Sequence, residues 1–142
     1  MKVANPIIVE RLNDWLPPEG ENKVRASSSD GKLVVDVEYT SCSDHQSLKK
    51  RSLIFERVSH FYKGPMPGID FLDFQFNNEK LDVGSLIEFE SSDFSDRYSE
   101  YMNGCSGVNL PKRKHYFVMF TSENILFHVF AVSVSVSEET SV

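Results

Sequence analysis

The chain has 142 residues, of which 40% are hydrophobic and 25% charged, and its formal net charge is −6. These values are typical of one globular domain and argue against wholesale disorder, while the acidic balance argues against a nucleic-acid partner. No run of about 18 apolar residues favours a membrane span, and Met1 to Pro6 lack the pattern of a signal peptide. We therefore expect a cytoplasmic protein whose two cysteines, Cys42 and Cys105, stay reduced.

The N-terminal segment is predicted to form a short helix. Asn5 can cap a helix, and Pro6 suits the first helical position. The apolar residues that follow at helical spacing, before two prolines end the segment, are Ile8, Leu12, Trp15 and Leu16. The β-branched run 7–9 favours a strand instead, because such residues open a helix poorly.

Alternation of apolar and polar residues predicts strands through the middle of the chain. A hairpin is expected to join residues 22–26 to residues 32–39, because Asp30 and Gly31 supply the chemistry of a tight turn. A polar loop, 40–48, follows it. The other predicted strands are 51–62, 69–76 and 81–90, with a break at 64–68 and a bulge at Gly84.

A second helix is predicted near residues 93–102. Ser92 or Asp93 can cap its start, and Gly104 is expected to stop it. A helix this short is not stable alone in water, so its aromatic face must dock on the sheet. The residues of that face are Phe94, Tyr98, Tyr101 and Met102.

The segment 114–137 holds the densest run of β-branched and aromatic residues, and it is predicted to be the hairpin on which the fold is organised. A polar turn at 122–124 joins its two strands. The middle of both strands is apolar on each face, so both faces should be covered, as in a central strand pair. Beyond Ala131 valine and serine alternate, which indicates cover on one face only.

Together these elements predict one domain, 1–142, of the α+β class and mainly β. We expect a curved antiparallel sheet, a sandwich or half-barrel of about six or seven strands, with a short N-terminal helix and a short helix near 93–102. The order of the strands does not follow from the sequence.

Catalytic and metal-binding signatures are missing from the sequence. Cys42, Asp44 and His45 are close together in a polar loop, but catalytic cysteine and histidine are usually brought together by the fold, and an ordinary loop is the simpler interpretation. His128 interrupts an apolar strand, where a hydrogen-bonded core histidine is the ordinary interpretation. No metal-ligand spacing occurs, so neither a metal nor a cofactor is predicted.

A cluster of carboxylates is the sharpest charge feature of the chain. Acids at the start of a helix are favoured by the helix dipole, so a solvated helix face is one interpretation. Protein recognition is the other, because acids speed the encounter with a basic partner and tyrosines can anchor it. The candidate partner-binding residues are Glu88, Glu90, Asp93, Asp96, Tyr98, Glu100 and Tyr101.

The two runs of the last hairpin also carry a resemblance. His115 to Phe120, followed by Ile125 to Val134 with Ala131 and Ser133, resembles the ending of small uncharacterised bacterial proteins, some of them immunity proteins of toxin systems. The resemblance covers about a sixth of the chain and includes no catalytic motif. It implies a non-enzymatic, β-rich domain that binds and neutralises a toxin.

Three functions are therefore expected in decreasing order. The first is a non-catalytic protein-binding domain, an immunity-type antagonist of a bacterial toxin whose partner is a basic toxin domain. The second is a small-molecule-binding or enzymatic barrel with a pocket lined by Phe71, Phe74, Phe127 and His128. The third is a subunit that buries a strand edge in a homodimer.

Overall fold

The computed structural model describes residues 2–41, 43, 47–65, 75–76, 82–107 and 111–142. Two β-sheets pack face to face, and one helix covers the outer face of the larger sheet. The strands in this part of the chain are β1 (Lys2–Arg11), β2 (Lys23–Ser29), β3 (Lys32–Thr40), β4 (Leu48–Glu56), β5 (His60–Pro65), β6 (Gln75–Phe76), β7 (Ser85–Ser92), β8 (Lys114–Phe120), β9 (Ile125–Ala131), β10 (Ser133–Val136) and β11 (Thr140–Ser141). A 3₁₀ turn (Leu12–Asp14) follows β1, and helix α1 (Asp93–Ser106) follows β7.

The six strands of the large sheet are ordered β5-β9-β8-β7-β1-β6, and those of the small sheet are ordered β10-β4-β3-β2, with β11 also paired to β4. Neighbouring strands are antiparallel except β1 and β6, which are parallel. The hairpin β8–β9 lies inside the large sheet, between β7 and β5. The prediction of a mainly β fold built around an inner C-terminal hairpin is confirmed.

The main core lies between the two sheets, and it follows from strict alternation along the strands. Tyr116, Val118 and Phe120 of β8 face the small sheet, as do Phe127 and Val129 of β9. The residues of β3 and β4 that meet them are Leu33, Val35, Val37, Tyr39, Leu53 and Phe55. This interior is filled by side chains from both sheets, as in a β-sandwich.

The alternate residues of β8 and β9 point to the outer face of the large sheet, where α1 packs. The ring of Phe94 in α1 lies 4.4 Å from the ring of Phe130 in β9. The ring of Tyr98 meets His60 of β5 edge-on, with 4.8 Å between the ring centres. The predicted docking of the helix through aromatic residues is confirmed, and the hairpin is covered on both of its faces.

The N-terminal segment is a strand and not a helix, so that prediction is wrong. β1 pairs with β7 from Val3 to Arg11, with a bulge between Ile8 and Glu10. The β-branched run 7–9 decides the outcome, because it suits an extended strand and β7 satisfies its backbone. The later part of the helical pattern is buried in the 3₁₀ turn and the residues after it.

The number and grouping of the strands also differ from the prediction, since there are two sheets and eleven described strands instead of one curved sheet of six or seven. The segment 51–62 divides at Arg57, whose φ of 52° turns the chain from one sheet to the other. The last strand divides in the same way at Val132, because β9 and β10 belong to different sheets. The predicted strand 69–76 lies outside the described residues except for β6.

Two glycine predictions are wrong. The helix α1 continues past Gly104 to Ser106, and it ends at Gly107, whose left-handed φ of 66° lets its N–H donate to the carbonyl of Asn103. Gly84 lies in the turn before β7, not in a bulge within that strand, and its carbonyl accepts the N–H of Leu12.

Candidate functional site

A hydrogen-bonded chain of three polar side chains lies on the outer face of the large sheet. Oγ of Ser92 is 3.0 Å from Nδ1 of His115, and Nε2 of His115 is 2.9 Å from Nδ1 of His128. Ser92 is the last residue of β7 and the N-cap of α1. We call these three residues the serine–histidine chain.

Strand register brings the two histidines together. His128 pairs with Phe117 across the β8–β9 ladder, and His115 pairs with Phe130, so the two imidazoles are diagonal neighbours on one face. The adjacent strand β7 ends at Ser92, where the chain turns into α1 directly over this face. The position of each side chain therefore follows from the sheet and the helix start.

Both imidazoles are buried among aromatic rings and are neutral at pH 7. His115 is 0% exposed and His128 is 1% exposed. Burial lowers the pKa of His115 well below its usual 6.5, with a further contribution from the charge of His128. Burial alone lowers the pKa of His128 to about 4.

Neutral imidazoles give the chain a definite donor order. When the hydroxyl of Ser92 donates to Nδ1 of His115, the proton of His115 is on Nε2 and is donated to Nδ1 of His128. In this order Ser92 Oγ also accepts the backbone N–H of Ser95 at 3.5 Å, the capping bond of α1. The arrangement can hold and move a proton between an alcohol and an imidazole.

A groove of about 440 Å³ lies beside this chain. Its wall includes the hydroxyls of Ser92 and Ser95, His115, the acids Glu88 and Glu90, and the basic run 112–114. Ser95 is 2% exposed, and its Oγ makes no hydrogen bond within the described part of the chain. We call this cavity the serine groove.

Charged residues around the serine groove are largely paired. Nζ of Lys112 is 2.6 Å from Asp96, and Nζ of Lys114 is 3.4 Å from Glu88. The side chain of Arg113 instead donates to the backbone carbonyls of Arg57 and Pro111. The basic run therefore neutralises part of the acidic cluster.

The seven predicted partner-binding residues divide between two surfaces. Glu88, Glu90 and Asp96 border the serine groove or its ion pairs. The outward side of α1 carries Arg97, Glu100 and Tyr101, all exposed, with Asp93 at its N-terminal end; these four residues form what we call the α1 outer face. Tyr98 points inward and packs on His60, so it is not part of that surface.

The other predicted sites are not assembled. Cys42, Asp44 and His45 lie outside the described residues, as do Phe71 and Phe74. Phe127 faces the intersheet core, whereas His128 is on the opposite face of β9, so these two side chains do not line one pocket. Among the residues that the structure describes, no group of three or more His, Cys, Asp or Glu is placed to hold a metal ion.

Sequence reasoning missed the serine–histidine chain although the hairpin contained a signal for it. Counting residues outward from the turn at 122–124 pairs Phe117 with His128 and places His115 on the same face, two positions along. The contribution of Ser92 carried no such signal, because it depends on β7 being the next strand in the sheet.

None of the described helices has the length and apolar character needed to cross a membrane. Comparisons of the chain with models of protein families, with curated proteins and with solved structures found no match.

Proposed function

We propose that this chain is a protein-binding domain that acts as an immunity-type antagonist of a basic bacterial toxin domain. The observation that carries the proposal is the α1 outer face, where Tyr101 is 67% exposed beside the exposed Glu100. Exposed tyrosines with adjacent acids are frequent anchors of protein interfaces, because the ring buries a large area and the charge orients the partner.

The α1 outer face rests on a well-anchored helix. Ser92 caps the helix start, Gly107 ends it in a left-handed conformation, and the ring of Phe94 packs on Phe130 of the sheet. A surface held in one conformation loses little entropy on binding. Tyr101 is therefore presented in a form ready for contact.

Charge favours a basic partner. Glu90, Glu100 and Asp93 make no side-chain ion pair within the described residues, in contrast to Glu88 and Asp96. The whole chain also has a net charge of −6. Such a field accelerates association with a positively charged protein, and the acceleration falls with added salt.

The test uses the product of the gene adjacent to the one that encodes this chain, with both proteins purified and binding measured by calorimetry and by stopped flow. Tyr101→Ala should weaken binding roughly 10–100-fold, mainly through faster dissociation. Glu100→Lys should slow association about 3–10-fold at low salt and much less at high salt. Glu138→Lys, an equal charge reversal at an exposed residue after β10, is the matched control.

Two results would count against this proposal. If the adjacent product does not bind, the immunity role loses its support. If Glu138→Lys weakens binding as much as Glu100→Lys, total charge and not the α1 outer face determines recognition.

A homodimer is a second proposal, favoured by the edge of β1. Within the described residues, β1 beyond Val3 pairs only with β7, and Ile7, Ile8 and Val9 are exposed. An exposed apolar strand edge can pair with a second copy. Sedimentation equilibrium at micromolar concentration should then show a dimer that Ile8→Lys dissociates, whereas a monomeric wild type would refute the idea.

A further inference from the structure

The serine groove goes beyond partner binding, because it combines an alcohol, a hydrogen-bonded imidazole and an open cavity. We propose that it is an acyl-transfer site in which Ser92 is the nucleophile and His115 the general base. This site is separate from the α1 outer face, so the two proposals stand or fall independently.

Position and hydrogen bonding suit Ser92 to this role. Its Oγ is 3.0 Å from Nδ1 of His115, within the range for proton transfer from a nucleophile to its base. Ser92 also lines the groove, so its oxygen borders the space that a substrate would occupy. A nucleophile at the N-cap of the 14-residue helix α1 lies next to the backbone N–H groups of the first turn.

The reaction balances with the groups present and an ester substrate. Ser92 Oγ attacks the ester carbonyl carbon while its proton moves to Nδ1 of His115. When the carbon–oxygen bond to the leaving group breaks, His115 returns that proton to the departing alkoxide, leaving an acyl-serine and an alcohol. Water then attacks the acyl group with His115 again as base, which releases a carboxylic acid and restores Ser92.

His128 acts through His115 and is a positioning residue. Its Nδ1 lies 2.9 Å from Nε2 of His115 and accepts the proton there, which leaves Nδ1 of His115 free to receive the proton of Ser92. The partner of the base thus selects the reactive tautomer, as the third residue of a catalytic triad does. A neutral partner stabilises the charged imidazole less than a carboxylate would, so we expect slow turnover.

Ser95 supplies a donor for the developing oxyanion. Its Oγ is buried in the wall of the same groove and makes no hydrogen bond within the described residues, so its proton is available. Donors already in place for the tetrahedral intermediate accelerate acyl transfer roughly 100–1000-fold. Ser95 is one turn along α1 from Ser92, and its backbone N–H already points at Ser92 Oγ.

The lining of the groove indicates the substrate class. A cavity of about 440 Å³ holds a small molecule, and the wall carries both acids and bases, Glu90, Lys112 and Arg113 among them. Such a wall suits a small ester with a polar acyl group and disfavours a long aliphatic chain. A fluorophosphonate that bears a short polar chain is therefore a suitable probe.

The experiment treats the full-length protein with that fluorophosphonate and locates the adduct by peptide mass spectrometry. Ser92 Oγ should form a bond to phosphorus as fluoride leaves, with the serine proton passing through His115. The adduct should be at Ser92 in the wild type and in Ser91→Ala, an exposed neighbour outside the groove, and absent in Ser92→Ala. No adduct, or an adduct at another serine, would overturn the proposal.

Rates separate a catalytic arrangement from a merely structural one, in variants whose circular dichroism shows a native fold. His115→Gln should slow labelling at least 100-fold, and Ser95→Ala about 10-fold or more. The labelling rate of the wild type should hold constant well below pH 6.5, and His128→Gln should shift the inflection of that profile. Unchanged labelling in His115→Gln, or the same pH profile in His128→Gln, would refute the assigned roles.

Discussion

Acid should destabilise this fold through its two buried histidines. The unfolded chain takes up a proton on each near pH 6.5, whereas burial lowers the pKa of His128 in the folded protein to about 4. Above pH 6.5 both states are neutral at this residue, so the free energy of unfolding does not depend on it. As pH falls from 6.5 towards 4, protons favour the unfolded state.

The magnitude follows from linkage. Each pH unit inside this window lowers the free energy of unfolding by up to about 1.4 kcal/mol for one group, so the loss from pH 6.5 to 5 is about 2 kcal/mol for His128. His115 acts in the same direction, since its pKa is also lowered. For a domain of this size, with a total stability of about 5–15 kcal/mol, the effect is easily measured.

Urea unfolding followed by circular dichroism at pH 7.5, 6.5, 5.5 and 5 is the assay. His128→Gln keeps an acceptor for His115 and should remove about 2 kcal/mol of the pH dependence, whatever its stability at pH 7.5. His60→Gln, which removes an exposed histidine of β5, should leave the pH dependence as it is in the wild type. A wild-type stability that does not change between pH 7.5 and 5 would refute this reasoning.

Three further predictions can be checked by urea unfolding at pH 7.5. Gly104→Ala, inside α1 with open space around a new methyl group, should raise stability by about 0.5–1 kcal/mol, while Gly107→Ala should lower it by about 1 kcal/mol because of the left-handed φ there. Leu53→Ala, fully buried between the sheets, should lower stability by roughly 2–5 kcal/mol, and a smaller loss would mean that the core collapses onto the cavity. Arg57→Gly should raise stability by about 0.5–1 kcal/mol by relieving a left-handed residue, whereas Arg25→Gly in β2 should lower it.

The sequence predicted the elements whose pattern is local. The period-two alternation of β3 and the apolar hairpin 114–131 both lie where their patterns indicated, because burial on one or two faces leaves a direct trace in residue types. The turn at Asp30 and Gly31 also forms, with a positive φ at both residues. These parts need no knowledge of distant partners.

The elements that failed depend on distant partners. Residues 7–16 satisfy a helical spacing, yet β7 supplies a strand partner more than 70 positions away, and the β-branched run then favours an extended chain. The division into two sheets rests on single residues, Arg57 and Val132, where the chain leaves one sheet for the other. Neither position stands out by composition.

The candidate site illustrates the same limit and suggests how to read it. His115 and His128 break the apolar pattern of the two greasiest strands, and burying neutral imidazoles there lowers acid stability, which an apolar pair would not do. Chains tend to depart from local consistency where a function requires it. Because both departures fall on one face, meet a helix-capping serine and border a cavity, the conflict between pattern and residue type is itself the strongest argument for chemistry in the serine groove.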